Sequence, residues 1–177
     1  MIDPTTGSEV SVSHDEHMLG EGKCFKIDDL LNVNTTTQKW MVTTPDSKIY
    51  ARMIFDILCN GEQTVLVTEG ADRTGTTALT PINRNRVGTP PAATILVHRD
   101  VSGGATDGAV TLQNYRIGAT DKFSALPGES QGRRGYILKP NTKYVVSATT
   151  QADVYVTLRL HWCEHVNREM QDHFNVE

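Results

Sequence analysis

Three residues near the end of the chain could do chemistry together. His161, Cys163 and His165 alternate along one strand-like run, so their side chains share a face, with steps of about 7 Å in extended backbone. Imidazole and thiolate are good ligands for zinc or iron. A metal centre, or a cupin-type metalloenzyme using His161 and His165, would also need a carboxylate or a third histidine from another strand. No glycine-bounded His-x-His-and-Glu pattern supplies one. The spacing alone is weak, and the expectation is a polar sheet face or subunit contact with no metal and no cofactor. Nucleophilic catalysis has no support either, since there is no Gly-x-Ser-x-Gly elbow. The pairs Asp28-Asp29 and Asp15-Glu16 sit in polar segments and read as solvated loops. Ser102-Gly103-Gly104, with Gly108 beyond, lacks the Lys-Ser/Thr and following helix of a phosphate loop. With no complete constellation, the expectation is a protein that is not an enzyme.

A second group of residues suits binding. Residues 70–91 are punctuated by Gly70, Gly75, Pro81, Gly88, Pro90 and Pro91. They read as an irregular loop, and loops this long are usually functional. Asn83-Arg84-Asn85-Arg86 alternates amides with guanidinia, so an extended backbone would project both arginines to one side. Guanidinium forks suit carboxylates across a protein interface. Asp72, Arg73, Asn83, Arg84, Asn85 and Arg86 are therefore the expected contact residues, either between subunits or onto a larger assembly.

The elements that must position these residues are strands. Thr and Val are abundant and turn residues recur at short intervals. Strands are expected over residues 23–27, 37–44, 48–59, 63–69, 92–99, 109–117, 135–139, 143–150 and 153–165. Residues 28–32 read as a helical turn or loop, 101–107 as a Gly-rich connection and 121–132 as a polar loop. Met53, Phe55, Ile57 and Cys59 form a wholly apolar face, as do Val154, Val156, Leu158, Leu160 and Trp162. Val65 and Val67 face the same way on the return strand. Asn60-Gly61 has the composition of a hairpin turn, and Pro140-Asn141 that of a turn. The fold expected is all-β, a jelly-roll-like antiparallel sandwich over residues 21–165, with its strands linked by hairpins. Residues 1–20 are polar and without a usable period, and read as an N-terminal arm ordered by a neighbour. Residues 166–177 form a polar C-terminal tail.

Composition narrows the function classes. The chain has 177 residues, 21% charged, with net charge −4 and no long basic run, which argues against direct nucleic-acid binding. Met1-Ile2-Asp3-Pro4-Thr5-Thr6 lacks the basic and apolar regions of a signal peptide, and no apolar run approaches a bilayer span. The sequon Asn34-Thr35-Thr36 is then expected to go unused. Cys24, Cys59 and Cys163 are an odd set without CxxC spacing, so no disulfide is expected and the thiols read as buried hydrophobes made in a reducing cytoplasm.

Residues 69–86 resemble a motif of tailed-bacteriophage structural proteins. It is an acidic strand end and Gly, a Gly-Thr-Ala-like step, then Thr80-Pro81-Ile82-Asn83-Arg84-Asn85-Arg86. In that family a Gly-rich stretch follows. Next comes Ile-Leu-Lys-Pro-Asn-Thr-x-Tyr, here residues 137–144, and the close is aromatic-x-Glu-His, here Trp162-Cys163-Glu164-His165. Cys163 departs from the aromatic neighbour the pattern leads one to expect. The similarity spans about residues 48–165, and the order of the three motifs is more specific than any one of them. It implies a head decoration or cement protein that is made in the host cytoplasm and sits on the outer capsid surface of the virion. There it would bridge subunits of the major capsid protein, as a homotrimer, with no membrane or nucleic-acid partner. The alternative is a neck or tail appendage, or a receptor (glycan) binding module, which an exposed cluster of Tyr115, Tyr136 and Tyr144 would favour.

Overall fold

The computed structural model describes residues 14–118 and 135–166. Among these residues one short helix, α1 (His14–Gly20), precedes eleven strands. These are β1 (Cys24–Asn34), β2 (Thr37–Thr43), β3 (Ile49–Cys59), β4 (Gln63–Glu69), β5 (Asp72–Leu79), β6 (Ile82–Asn83), β7 (Leu96–Thr106), β8 (Val110–Ile117), β9 (Tyr136–Leu138), β10 (Lys143–Thr150) and β11 (Asp153–Val166). They form two antiparallel sheets packed as a sandwich: a five-stranded sheet ordered β6-β1-β11-β3-β9 and a six-stranded sheet ordered β5-β7-β2-β10-β4-β8.

The alternating residues place the core. Met53, Phe55, Ile57 and Cys59 of β3 and Val154, Val156, Leu158, Leu160 and Trp162 of β11 are all buried. They face Trp40 and Val42 of β2, Val65 and Val67 of β4, and Tyr144, Val146 and Ala148 of β10. Phe25 stacks on Trp162 with centroids 5.7 Å apart, and Phe55 lies 6.2 Å from Tyr136 and 6.4 Å from Tyr144. A polar link crosses the layers near one end: Asp29 points inward from β1 and accepts the Trp40 indole N–H at 2.7 Å and the Arg99 guanidinium at 3.4 Å.

Several expectations change. Strands consecutive in sequence are never neighbours within a sheet among the described residues, so the linkage is not by hairpins. Asn60-Gly61 carries the chain from one sheet to the other. The reason is that the apolar faces of β3 and β4 oppose each other across the core, while β11 and β10 have taken the adjoining edges. Asn60 stays on β11, donating its N–H to the Tyr155 carbonyl and accepting the Tyr155 N–H on its side chain. Gly61 lies so close to Val154 that a Cβ there would collide with it. Residues 28–32 are neither turn nor loop; β1 runs through them, paired with β11 from Cys24↔Cys163 to Asn34↔Asp153. Within the expected loop 70–91, Asp72–Leu79 is strand β5, and the expected Gly-rich connection 101–107 is largely the far half of its partner β7. Thr-rich backbone pairs readily despite its glycines because two such segments share one ribbon.

The expected arm is partly structured. Residues 14–20 form α1, whose Met18 is buried and which packs against β11. The helix ends in a Schellman turn, with Gly22 at φ +71° donating to Leu19 and Lys23 donating to Met18. Residues 1–13, the expected polar loop 121–132 and the tail beyond Val166 lie outside the described residues.

The cysteine expectation is overturned for two of the three. Cys24 and Cys163 face each other across β1 and β11 and form a disulfide spanning 139 residues of sequence; Cys59 is the free, buried thiol. Even-odd counting fails because the pairing depends on register, and register joins the first long strand to the last. Closing so long a loop restricts the unfolded chain, with a stabilisation of about 2–5 kcal/mol expected. Thermal unfolding of Cys24→Ser/Cys163→Ser should therefore occur well below wild type, and reductant should lower the wild-type midpoint but not that of the variant. Equal midpoints for both proteins in oxidising buffer would show that the bond contributes nothing.

Candidate functional site: a pinned arginine segment

β6 adds to the free edge of β1, with Phe25↔Asn83 and Lys26↔Ile82 in register, and the Arg84 N–H continues the ladder to the Cys24 carbonyl at 2.8 Å. The two asparagines hold this segment from inside. Asn83 is buried; its Nδ2 donates to the carbonyls of Gly22 (2.6 Å) and Pro91 (3.0 Å), and its Oδ1 accepts the Asn85 N–H at 2.9 Å. Asn85 repeats the pattern, donating to the Gly20 carbonyl at 2.7 Å and accepting the Val87 N–H at 2.9 Å. Arg84 and Arg86 point the other way and are exposed, with no hydrogen bond or ion pair to any described residue. Val87 beside them is 84% exposed. The backbone is fixed while both guanidinia are left available.

Asp72 and Arg73, expected in the same loop, lie elsewhere, on β5 at the edge of the other sheet. Asp72 is exposed. Arg73 is committed internally: its Nε pairs with Asp107 at 2.7 Å, and its Nη1 donates to the carbonyls of Gly103 (2.7 Å) and Gly104 (3.0 Å). Asp107 also takes Lys39 at 2.6 Å. Burial would raise the Asp107 carboxyl, but hydrogen bonds and charge from Lys39 and Arg73 outweigh it and hold the group below the ordinary aspartate value.

His161, Cys163 and His165 do share a face, but Cys163 is tied up in the disulfide and cannot serve as a thiolate ligand. Among the described residues no group of three His, Cys, Asp or Glu is arranged to hold a metal ion. His161 is held below its usual value, chiefly by burial and then by the Arg84 charge, against an opposing pull from Asp28. Of the tyrosines, Tyr144 is buried and its hydroxyl accepts the Lys139 N–H at 2.8 Å, with burial pushing it up to about 12. Tyr136 donates to the Leu112 carbonyl and packs on Phe55. These two are parts of the core wall and offer no exposed platform.

Glu164 is the residue that sequence reasoning named only as part of a motif. Its buried carboxylate accepts the N–H groups of Thr94 (3.0 Å) and Ile95 (3.2 Å), the Thr94 hydroxyl (2.7 Å) and the Trp162 indole N–H (2.9 Å). It clamps the entry to β7 onto the end of β11. The Trp-x-Glu spacing was the available signal, since residues two apart on a strand share a face. A cleft of about 200 Å³, lined by Lys23, Phe25, Ile49, Pro91, Ala92, Thr94, Glu164 and His165, opens beside it. A polar cleft of about 420 Å³ lies between β2 and the bend of β7, lined by residues including Gln38, Lys39, Asp100 and Ser102.

No family model matches the chain, and neither the curated proteins nor the solved structures contain a match to it.

Glu164→Ala should destabilise the fold by about 3 kcal/mol or more, because it strands several buried donors at ~1–3 kcal/mol each; a denaturant midpoint within error of wild type would contradict the clamp. Asp107→Asn should cost about 1 kcal/mol at neutral pH, a modest figure for a partly exposed pair. Because the Asp107 carboxyl is depressed in the folded chain, its contribution is present above the ordinary aspartate range and lost as pH falls through the folded value. The stability gap between wild type and Asp107→Asn should therefore close below about pH 4, and a gap unchanged from pH 7 to pH 3 would remove the carboxylate from this role.

Proposed function

We propose that the chain is a non-enzymatic virion structural protein that decorates and stabilises a tailed-phage capsid from outside, bridging major capsid subunits as a trimer. The observation that carries this reading is the Asn83–Arg86 segment. Buried amides fix its backbone, and two arginines are left unpaired among the described residues and facing outward. Pre-ordering lowers the entropic cost of association, and arginine is enriched at protein interfaces because its fork makes several oriented bonds.

The strand orders support the jelly-roll part of the reading. Leaving out β5, β6 and β7, the sheets reduce to β1-β11-β3-β9 and β2-β10-β4-β8. That is two facing sets of four with consecutive strands mostly alternating between them, an arrangement common in viral capsid domains. β5, β6 and β7 are then an insertion that widens both sheets on the β1/β2 side, and the arginine segment lies within it. The Cys24–Cys163 bond also fits, since a disulfide persists in an oxidising setting such as the exterior of a released particle. The motif order over residues 48–165 points the same way by resemblance.

Arg84→Ala/Arg86→Ala should fold with a wild-type melting profile, since neither side chain is in the core. Truncating an arginine that is buried and paired at the interface should weaken association by roughly 2–5 kcal/mol. The double variant should be recovered as a smaller species, or should fail to fill particles that lack the protein. Wild-type oligomer mass together with wild-type particle occupancy would mean the segment is only a solvated connector.

A further inference from the structure

The two outer faces of the sandwich differ. The chain covers much of the six-stranded sheet itself. Met41, Thr68 and Val145 point away from the core yet are buried. The far part of the β5–β7 ribbon and the turn after it lie over them, held by Asp107 to Lys39, by Thr68 Oγ1 to the Asp107 carbonyl, and by Lys143 Nζ to the Arg73 carbonyl at 2.7 Å. β7 can turn over this face because Asp100 takes φ +57°.

The five-stranded sheet has no such cover among the described residues, apart from the corner under α1. Four of the seven large hydrophobic side chains exposed among the described residues lie on it, one on each of four strands. They are Leu30 (63% exposed) on β1, Tyr155 (54%) on β11, Ile137 (55%) on β9 and Ile82 (46%) on β6. Register puts them on one face with Lys26, Arg52, Arg84 and Arg159, against Asp28, Asp56 and, at the far end of β11, Asp153. The face thus carries one excess positive charge on a chain whose net charge is −4, and its cations gather around Leu30 and Ile82 while Asp153 lies beyond Tyr155 at the end of β11.

We propose that this outer face docks a carboxylate-rich protein surface, with Leu30 and Tyr155 covered at the contact and Lys26, Arg84 and Arg159 paired to carboxylates around them. This rests on the structural-subunit reading and names the chemistry of its partner. Charge complementarity selects an acidic occupant. The chemistry of the face selects protein over nucleic acid: Asp28 and Asp56 sit in mid-face where a phosphate backbone would be repelled, and three of the four exposed hydrophobics are aliphatic, whereas single strands are gripped by stacking aromatics. Asp28 already takes Lys26 at 2.7 Å and Arg159 at 3.7 Å. A partner carboxylate would extend that network as the surface leaves water, where pairs gain strength.

The test uses the full 177-residue chain, isotopically labelled, with three probes: a twelve-residue peptide alternating Glu and Leu, its Lys-Leu counterpart, and a twelve-base-pair DNA duplex. The Glu-Leu peptide should shift resonances of Lys26, Leu30, Tyr155 and Arg159. Lys26→Glu/Arg159→Glu, checked for a wild-type melt, should lose at least tenfold in affinity, and the Lys-Leu peptide should leave the face unmoved. Shifts elsewhere, tighter binding of the duplex, or concentration-dependent shifts of this face without any probe (a second copy as occupant) would each overturn the proposal. Particle binding separates the two readings. If Lys26→Glu/Arg159→Glu keeps wild-type occupancy while Arg84→Ala/Arg86→Ala loses it, the docking face is wrong and the capsid reading stands. If the peptide maps to the face but wild-type protein does not bind particles, the capsid reading fails and the face remains.

Discussion

The structure depends on one strand being shared. β11 runs down the middle of the five-stranded sheet, paired along eleven residues with β1 on one side and along eleven with β3 on the other. Its inner face supplies Val154, Val156, Leu158, Leu160 and Trp162 to the core. β11 is also the last strand among the described residues, so that sheet cannot close until most of the chain is in hand. Every neighbouring pair of strands is likewise non-local, and loop-closure entropy must be overcome before any pairing is rewarded. Such a topology needs firm anchoring where the distant strands meet. Two covalent or charged fixtures supply it within two residues of each other: Cys163 bonds β11 to β1, and Glu164 fastens the entry to β7.

The same economy of anchors explains why, among the described residues, one outer face of the sandwich is covered and the other is not. A two-stranded ribbon such as β5–β7 has little core of its own, since beyond Val97 at its base the residues on both of its faces are exposed or half-buried. It holds its place by lying across the six-stranded sheet, where Asp107 gathers a cation from β2, another from β5 and, through its carbonyl, a hydroxyl from β4. With the ribbon spent on that side, the opposite sheet has no equivalent flap among the described residues.

How far the sequence was legible follows from the range of each signal. Period-two alternation is local, and it placed the inner faces of β3 and β11 correctly; β4 and β10 were found to the residue. Pairing is not local. Asn60-Gly61 marks a reversal of the chain, but which sheet receives the next strand is decided by β11 and β10, some ninety residues on. Residues 28–32 look like a turn because two aspartates and an asparagine crowd there. They are strand because Asp28 meets Lys26 and Arg159 outside while Asp29 is taken up by Trp40 and Arg99 inside. Cys24 and Cys163 could not be matched by counting for the same reason. At the site, the direction of Arg84 and Arg86 was readable from alternation, whereas the internal commitment of Arg73 was not, because its partner Asp107 lies 34 residues away across the ribbon.

The asparagine–arginine alternation shows how a strand period can become a division of labour. An amide carries both donor and acceptor, so Asn83 can bind carbonyls of Gly22 and Pro91 while receiving the backbone N–H of Asn85. No charged side chain could do this at a buried position without a paired counter-ion. Placing the neutral amides inward therefore leaves the alternating positions 84 and 86 to carry their cations on the exposed side. Asn83 also ties the segment to the same β1 strand end that the disulfide secures to β11. The guanidinia are thus referred, through a short chain of rigid contacts, to the most heavily paired strand of the molecule. A partner that engages Arg84 pulls against β1 and β11 rather than against a loose loop, and a load on that contact is borne by the whole five-stranded sheet.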